Sequence, residues 1–217
     1  MEKEVVKITK ITAKGHKFIV NININNDNYI FSENQLVENR IIKGSLFTSD
    51  EWNKIMKDHS TGVLYDKILN FIDYKLRSEN EVVKKLKLLN ATDGQIVSII
   101  NKLKDINYIN DHRYTQMYIY DSINNYKGHE YIKYHLAQKG IDSNIILEEL
   151  SNCSNDSFIN KGLELANKYL DSIKHHSAYK QKGLVINKLT RCGYTSDIIS
   201  SIVSKLTFSN NSFNEYD

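Results

Sequence analysis

The chain has 217 residues, enough for one good-sized core or two modest ones. Its 41% apolar and 25% charged content is that of a globular protein, and no apolar run approaches the roughly 20 residues that a membrane-spanning helix requires. Nine Lys/Arg against eight Asp/Glu in residues 1–60, twelve against twelve in 61–150 and eight against six in 151–217 leave no segment with the basic excess of a dedicated duplex-DNA binder.

The first residues, Met1-Glu2-Lys3-Glu4-Val5-Val6-Lys7, mix acid and base without an apolar run, so no secretory signal is expected and the cytoplasm is the expected location. From Val5 to Phe31 apolar and polar residues alternate: Val6, Ile8, Val20, Ile22 and Ile24 are each followed by a polar residue, and Phe18 keeps the same spacing two residues before Val20. A period of two means strands. Turns are expected at Ala13-Lys14-Gly15-His16 and Asn25-Asn26-Asp27-Asn28, because Gly, Asn and Asp tolerate the left-handed backbone of tight turns. The result is a meander of about three strands. Glu33–Arg40 and Thr48–Asp58, the latter with Trp52 and Ile55, read as helices that cover its apolar face.

After Thr61 the period becomes helical. Leading helices are expected at about 63–76, 111–125 and 156–174. Ser78-Glu79-Asn80-Glu81 is a capping box ahead of Val82, Val83, Leu86 and Leu89, and Thr92-Asp93-Gly94-Gln95 repeats that logic after a left-handed stop at Asn90. Ile96, Ile99, Ile100 and Leu103 fall on one helical face, as do Ile198, Ile199, Ile202, Val203 and Leu206 a hundred residues later.

A repeat organises these helices. Leu136-Ala-Gln-Lys-Gly140-Ile141-Asp142-Ser143-Asn144-Ile145-Ile146 aligns with Leu189-Thr-Arg-Cys-Gly193-Tyr194-Thr195-Ser196-Asp197-Ile198-Ile199, with helix-stop glycines and N-cap Asp or Thr at equal offsets. Leu86 anchors a first copy, giving separations of 50 and 53 residues. The expected fold is therefore mainly α: three tandem three-helix units, at 61–109, 110–153 and 154–208, forming an elongated, curved body. A small β-rich domain at 1–60 precedes them and a disordered tail at 209–217 follows.

Groups that could do chemistry read as structural. Cys153 and Cys192 lack metal spacing and a CxxC pair, and the adjacent His175 and His176 point to different sides of a helix. No phosphate-cradling glycine loop, GxSxG or HExxH occurs, so no catalytic residue, metal or cofactor is expected. In Asp111-His112-Arg113-Tyr114, Asp111 is read as a helix N-cap, and Tyr114 and Tyr118 lie one turn apart. Lys84, Lys85 and Lys87 with Arg77 place a basic surface on the first unit's middle helix, and Lys127, His129, Lys133 and Lys139 place one on the second. Either could be an ordinary solvated face, or could meet acidic protein surface or phosphate, with Tyr126, Tyr131 and Tyr134 adding stacking.

Arg77-Ser78-Glu79-Asn80-Glu81-Val82, then Ile106-Asn107-Tyr108-Ile109-Asn110-Asp111-His112-Arg113-Tyr114, then Lys127-Gly128 and Lys139-Gly140-Ile141 resemble, in order and spacing, the signatures of RecX regulatory proteins. The resemblance covers residues 61–206, and the β-rich start looks like the extension of the Gram-positive members. Asn107 stands where the family usually has Gly and Thr115 where Ala is common; Asn keeps the left-handed option. The resemblance implies a monomeric modulator that lodges in the groove of the RecA–single-strand DNA filament and suppresses ATP hydrolysis and strand exchange, in recombination, repair and the SOS response. Arg77, Lys84, Lys85, Arg113, Lys127 and Lys133 are the expected contacts with the filament or with phosphate. The alternative is a stand-alone nucleic-acid binder whose helix-turn-helix-like units read a groove. Weak contact with single- or double-stranded DNA is compatible with both.

Overall fold

A computed structural model describes residues 5–25 and 27–208; the expected tail at 209–217 lies outside the described residues, as does Asn26 of the second turn. The chain divides into two compact units. One comprises the chain up to Tyr74 together with Leu86–Ile99, and the other Lys75–Lys85 together with the chain from Ile100.

The first unit opens with β1 (Val5–Lys14), β2 (Lys17–Ile22) and β3 (Asn28–Ser32), followed by α1 (Glu33–Glu38), β4 (Leu46–Thr48) and α2 (Ser49–Asp73). The strands form an antiparallel sheet in the order β3-β2-β1-β4. The sheet thus has four strands where alternation indicated about three. β4 is only three residues long, too short to show a period, and it is specified by pairing Val5 with Thr48 and Lys7 with Leu46. The β1–β2 turn carries Gly15 at φ +59°, as its place between the strands requires. Val6, Ile8, Val20, Ile22 and Phe31 of the sheet pack with Ile41 and with Trp52 and Ile55 of α2, which is the cover expected for that face.

α2 runs 25 residues without interruption, where the sequence suggests two helices, and the expected division after residue 60 falls inside it. Ser60 and Thr61, whose hydroxyls can compete for backbone groups, lie between the two expected helices. Here both hydroxyls donate back to the carbonyl of Lys57 within the helix, at 2.8 and 2.9 Å, and both accept from the Gln95 amide.

The remaining helices are α3 (Glu79–Leu88), α4 (Asp93–Asp105), α5 (Asp111–Asn124), α6 (His129–Gln138), α7 (Ser143–Ser151), α8 (Asn155–Ile173), α9 (Ala178–Arg191) and α10 (Ser196–Ser204). Both expected capping boxes are closed: Ser78 Oγ accepts from Glu81 N–H and Glu81 accepts from Ser78 N–H, and Thr92 with Gln95 does the same. Asn90, Gly140 and Gly193 hold φ of +58°, +76° and +85°, ending helices where stops were expected, and Asn107, at +57°, takes the left-handed option after α4. Leu136 and Leu189 are fully buried in the second unit's core with Ile132, Phe158 and Val185.

The repeat glycines do a second job that the sequence conceals. The turn after α9 seats on the start of α6: Gly128 N–H donates to the carbonyl of Cys192 at 2.8 Å and Glu130 N–H to that of Gly193 at 2.9 Å. One unit earlier, the turn after α6 seats on the start of α3, where the Ser78 hydroxyl and the Asn80 amide donate to the carbonyl of Lys139 at 2.9 and 3.2 Å. In both joints the incoming turn supplies carbonyls at a helix start, to backbone N–H groups at α6 and to the Ser78 and Asn80 side chains at α3. A side chain on Gly128 would collide with the backbone of Gly193 and Tyr194, and one on Gly193 with the backbone of Tyr131. The position equivalent to Ser78 and Gly128 in the last unit is Gln181, which lies inside α9. It is buried, and its amide donates to the carbonyls of His176 and Lys174 at the end of α8.

Candidate functional site

The basic residues expected to make contacts all belong to the second compact unit, yet they do not form one patch. Arg77 lies 3.9 Å from the carboxylate of Glu81, which also receives Lys139 Nζ at 2.9 Å. Burial pushes the Glu81 carboxyl up, but the hydrogen bonds from Lys139 and Ser78 and the nearby Lys and Arg charges overcome it and hold the group below its ordinary range. Arg77 and Lys139 are thus joined through one carboxylate across the α3–α6 joint. Lys84 is exposed on α3 and Lys85 half-buried. Arg113 is exposed in the first turn of α5, and Lys133 pairs with Glu130 at 3.0 Å along α6.

Lys127 and Lys139 meet at a cleft of about 680 Å³. Lys75, Lys127 and Lys139 line it together with Asp121 and Asn125, and Leu76, Tyr114, Met117, Tyr118 and Tyr131 give it aromatic and apolar walls. α5 supplies Tyr114, Met117, Tyr118 and Asp121 from one face because they are three or four residues apart. The Tyr114 and Tyr118 rings stack at 6.4 Å, and burial lifts both phenols, that of Tyr114 to about 12, so each stays protonated at neutral pH. Sequence reasoning missed Lys75, Met117 and Asp121. Lys75 lies between α2 and α3, where no periodicity marks it.

Two expectations change here. The side-chain cap of α5 is Asn110, which accepts from Arg113 N–H at 3.0 Å, and not Asp111. Asp111 sits one residue inside α5 and its carboxylate accepts the N–H of Glu79 at 2.9 Å, so it caps the start of a different helix, α3. Tyr126 and Tyr131 already carry neighbours on their rings: Lys168 lies 4.8 Å from the Tyr126 ring, and Lys127 lies 4.7 Å and the His135 ring 4.1 Å from that of Tyr131. Tyr134 alone of the three is largely exposed.

His112, from the same motif, is tied to a buried carboxylate. Its Nδ1 lies 2.8 Å from Glu149 Oε1, and Gln116 donates to the other oxygen at 2.9 Å. The bond to Glu149 raises the His112 pKa; burial pushes Glu149 up, but the His112 and Gln116 hydrogen bonds hold it below its ordinary range. This pair joins α5 to α7. Among the described residues no group of three His, Cys, Asp or Glu is gathered as metal ligands, and no helix is long and apolar enough to cross a membrane.

Comparison with known proteins places these features. Residues 110–150, which include α5, α6 and most of α7, match a family model described as RecX, second three-helix domain. A regulatory protein RecX of Streptococcus agalactiae is 30% identical over 203 residues, covering 93% of this chain and 77% of its own. One of Clostridium beijerinckii is 30% identical, covering 92% and 95%. Among solved structures, a crystal structure of regulatory protein RecX superposes with a TM-score of 0.75 at 25% identity over 92% of this chain and all of its own. RecX from Lactobacillus salivarius gives 0.65 at 34% identity over 67% and 96%. With a sheet-bearing start, repeated helical units and these similarities along nearly its whole length, the chain belongs to the RecX family of regulatory proteins.

Proposed function

We propose that the protein acts as a cytoplasmic monomer that binds the RecA–single-strand DNA filament in its helical groove and restrains ATP hydrolysis and strand exchange, in recombination, repair and the SOS response. The observation that supports this reading best is the repeated joint. Successive three-helix units are attached by a turn seated on a helix start, and Arg77 and Lys127 hold equivalent places in two of them, which suits a partner built of identical subunits. Engaging several subunits at once raises affinity through effective concentration without one strong contact. Arg77, Lys84, Lys85, Arg113, Lys127 and Lys133 are the side chains offered to acidic surface or phosphate.

Co-sedimentation with RecA filaments, run beside RecA's DNA-dependent ATP hydrolysis at rising protein concentration, tests the reading. Binding with falling hydrolysis is expected, weakened by charge reversal at Lys84 and Lys133 together. No binding and unchanged hydrolysis would refute it, and tight, strongly salt-dependent DNA affinity without RecA would favour a stand-alone nucleic-acid binder.

A further inference from the structure

We infer that the cleft beside α5 takes an acidic segment of a protein partner, with carboxylates set next to an apolar side chain. Three ammonium groups, of Lys75, Lys127 and Lys139, face one carboxylate, Asp121, on its lining. Lys139 is partly neutralised by Glu81, while no carboxylate among the described residues forms an ion pair with Lys75 or Lys127, so the cleft keeps positive charge. A negative ligand with several acceptors fits that charge.

The aromatic walls decide between a peptide and a nucleic-acid strand. A base would need an open ring face. Tyr114 is buried and stacked with Tyr118, and Tyr131, half-buried, already has the Lys127 ammonium and the His135 ring against it. Half-exposed Met117 adds a soft apolar surface suited to aliphatic side chains. About 680 Å³ holds a few side chains, within the usual range of ligand pockets. The inference rests on the reading above that the protein works on a protein partner, and it names the chemistry of one contact.

A displayed library of random twelve-residue peptides, selected on the full-length protein and counter-selected on the Lys75→Glu/Lys127→Glu double variant, tests it. Enriched sequences should carry two or more Asp or Glu beside an apolar residue, and the best of them, fluorescently labelled, should lose at least tenfold in affinity on the double variant. Met117→Glu, at a half-exposed position that tolerates the change, should weaken the same peptide at least as much. Circular dichroism confirms that each variant is folded. Enrichment without excess carboxylate, no enrichment, or displacement of the peptide by a twelve-nucleotide thymidine strand at equal concentration overturns the inference. Filament co-sedimentation of the wild-type protein separates the two claims: filament binding without acidic-peptide selection sinks the cleft alone, and peptide selection without filament binding sinks the RecA reading alone.

Discussion

Replacing Gly128 by Ala isolates the joint between successive units. Gly128 has φ −93°, a backbone open to any residue, so alanine brings no intrinsic strain there. It brings a methyl group into the carbonyl of Gly193 and the amide of Tyr194, both backbone atoms that cannot rotate away. The turn must lift, and the bonds from Gly128 N–H and Glu130 N–H, at 2.8 and 2.9 Å, are stretched or lost. With Gly128 buried, its unsatisfied donor alone costs about 1–3 kcal/mol, and with the second bond the total is about 2–4 kcal/mol. Urea unfolding followed by helical circular dichroism should show the midpoint falling by about 1–2 M, for a slope of about 2 kcal/mol per molar. Amide exchange at Glu130 should accelerate. Gly183, exposed within α9 where an added methyl would meet nothing within 4 Å, is the control: Gly183→Ala should stabilise by about 0.5–1 kcal/mol through helix propensity. If Gly128→Ala unfolds within about 1 kcal/mol of wild type, the joint does not carry the stability argued for it.

Three further outcomes follow from the described contacts. Ser78→Ala removes the acceptor for Glu81 N–H and the donor to Lys139, and should lower stability by about 1–2 kcal/mol in the same unfolding assay. Asp111→Ala strips the cap from Glu79 N–H and should cost about 1 kcal/mol, whereas Asp111→Asn keeps an acceptor. Burial raises the Asp111 carboxyl, so the folded chain holds its proton more tightly and ionisation costs stability as pH rises past the ordinary carboxylate range; the Asn variant should therefore match or exceed wild type in thermal melting at pH 7. For His112 and Glu149 the signs are opposite. The raised histidine contributes stability that is full below its ordinary pKa and lost as pH rises through the folded value, and the lowered carboxyl contributes above its ordinary pKa and loses this as pH falls. The melting-temperature difference between wild type and His112→Ala should therefore peak near pH 5–6 and shrink on either side, and a flat difference would deny the pair.

What the sequence made legible is what is local. Ser78 with Glu81, Thr92 with Gln95, and the left-handed stops at Asn90, Gly140 and Gly193 each involve groups within a few residues, and spacing alone reveals them. The parts that escaped depend on partners far along the chain. Asp111 looks like the cap of its own helix because an acid before a helical run usually is, but it serves Glu79, 32 residues earlier. The gap between the helices expected at 48–58 and about 63–76 is bridged by one continuous helix, with Gln95 brought against Ser60 and Thr61 from 35 and 34 residues away. Tyr131 looks available for stacking until Lys127 and His135 flank it. The basic residues of the candidate site were legible as residue types, but their grouping around a cleft with Lys75 and Met117 was not, since it depends on how α5 and α6 meet the segment before α3.

Gln181 gives the array a direction and a stop. Repeats built on one turn and one helix start run the risk that any turn will seat on any start, within one chain or between two molecules. The starts of α3 and α6 each receive a turn from the unit that follows, but at α9 the corresponding position is already inside the helix, with its amide committed to the carbonyls of Lys174 and His176. At that position a further turn would meet helix interior, because α9 starts three residues earlier, at Ala178. The contact that two units make with their successors is thus replaced, in the last unit, by a buried side chain bonded within its own chain.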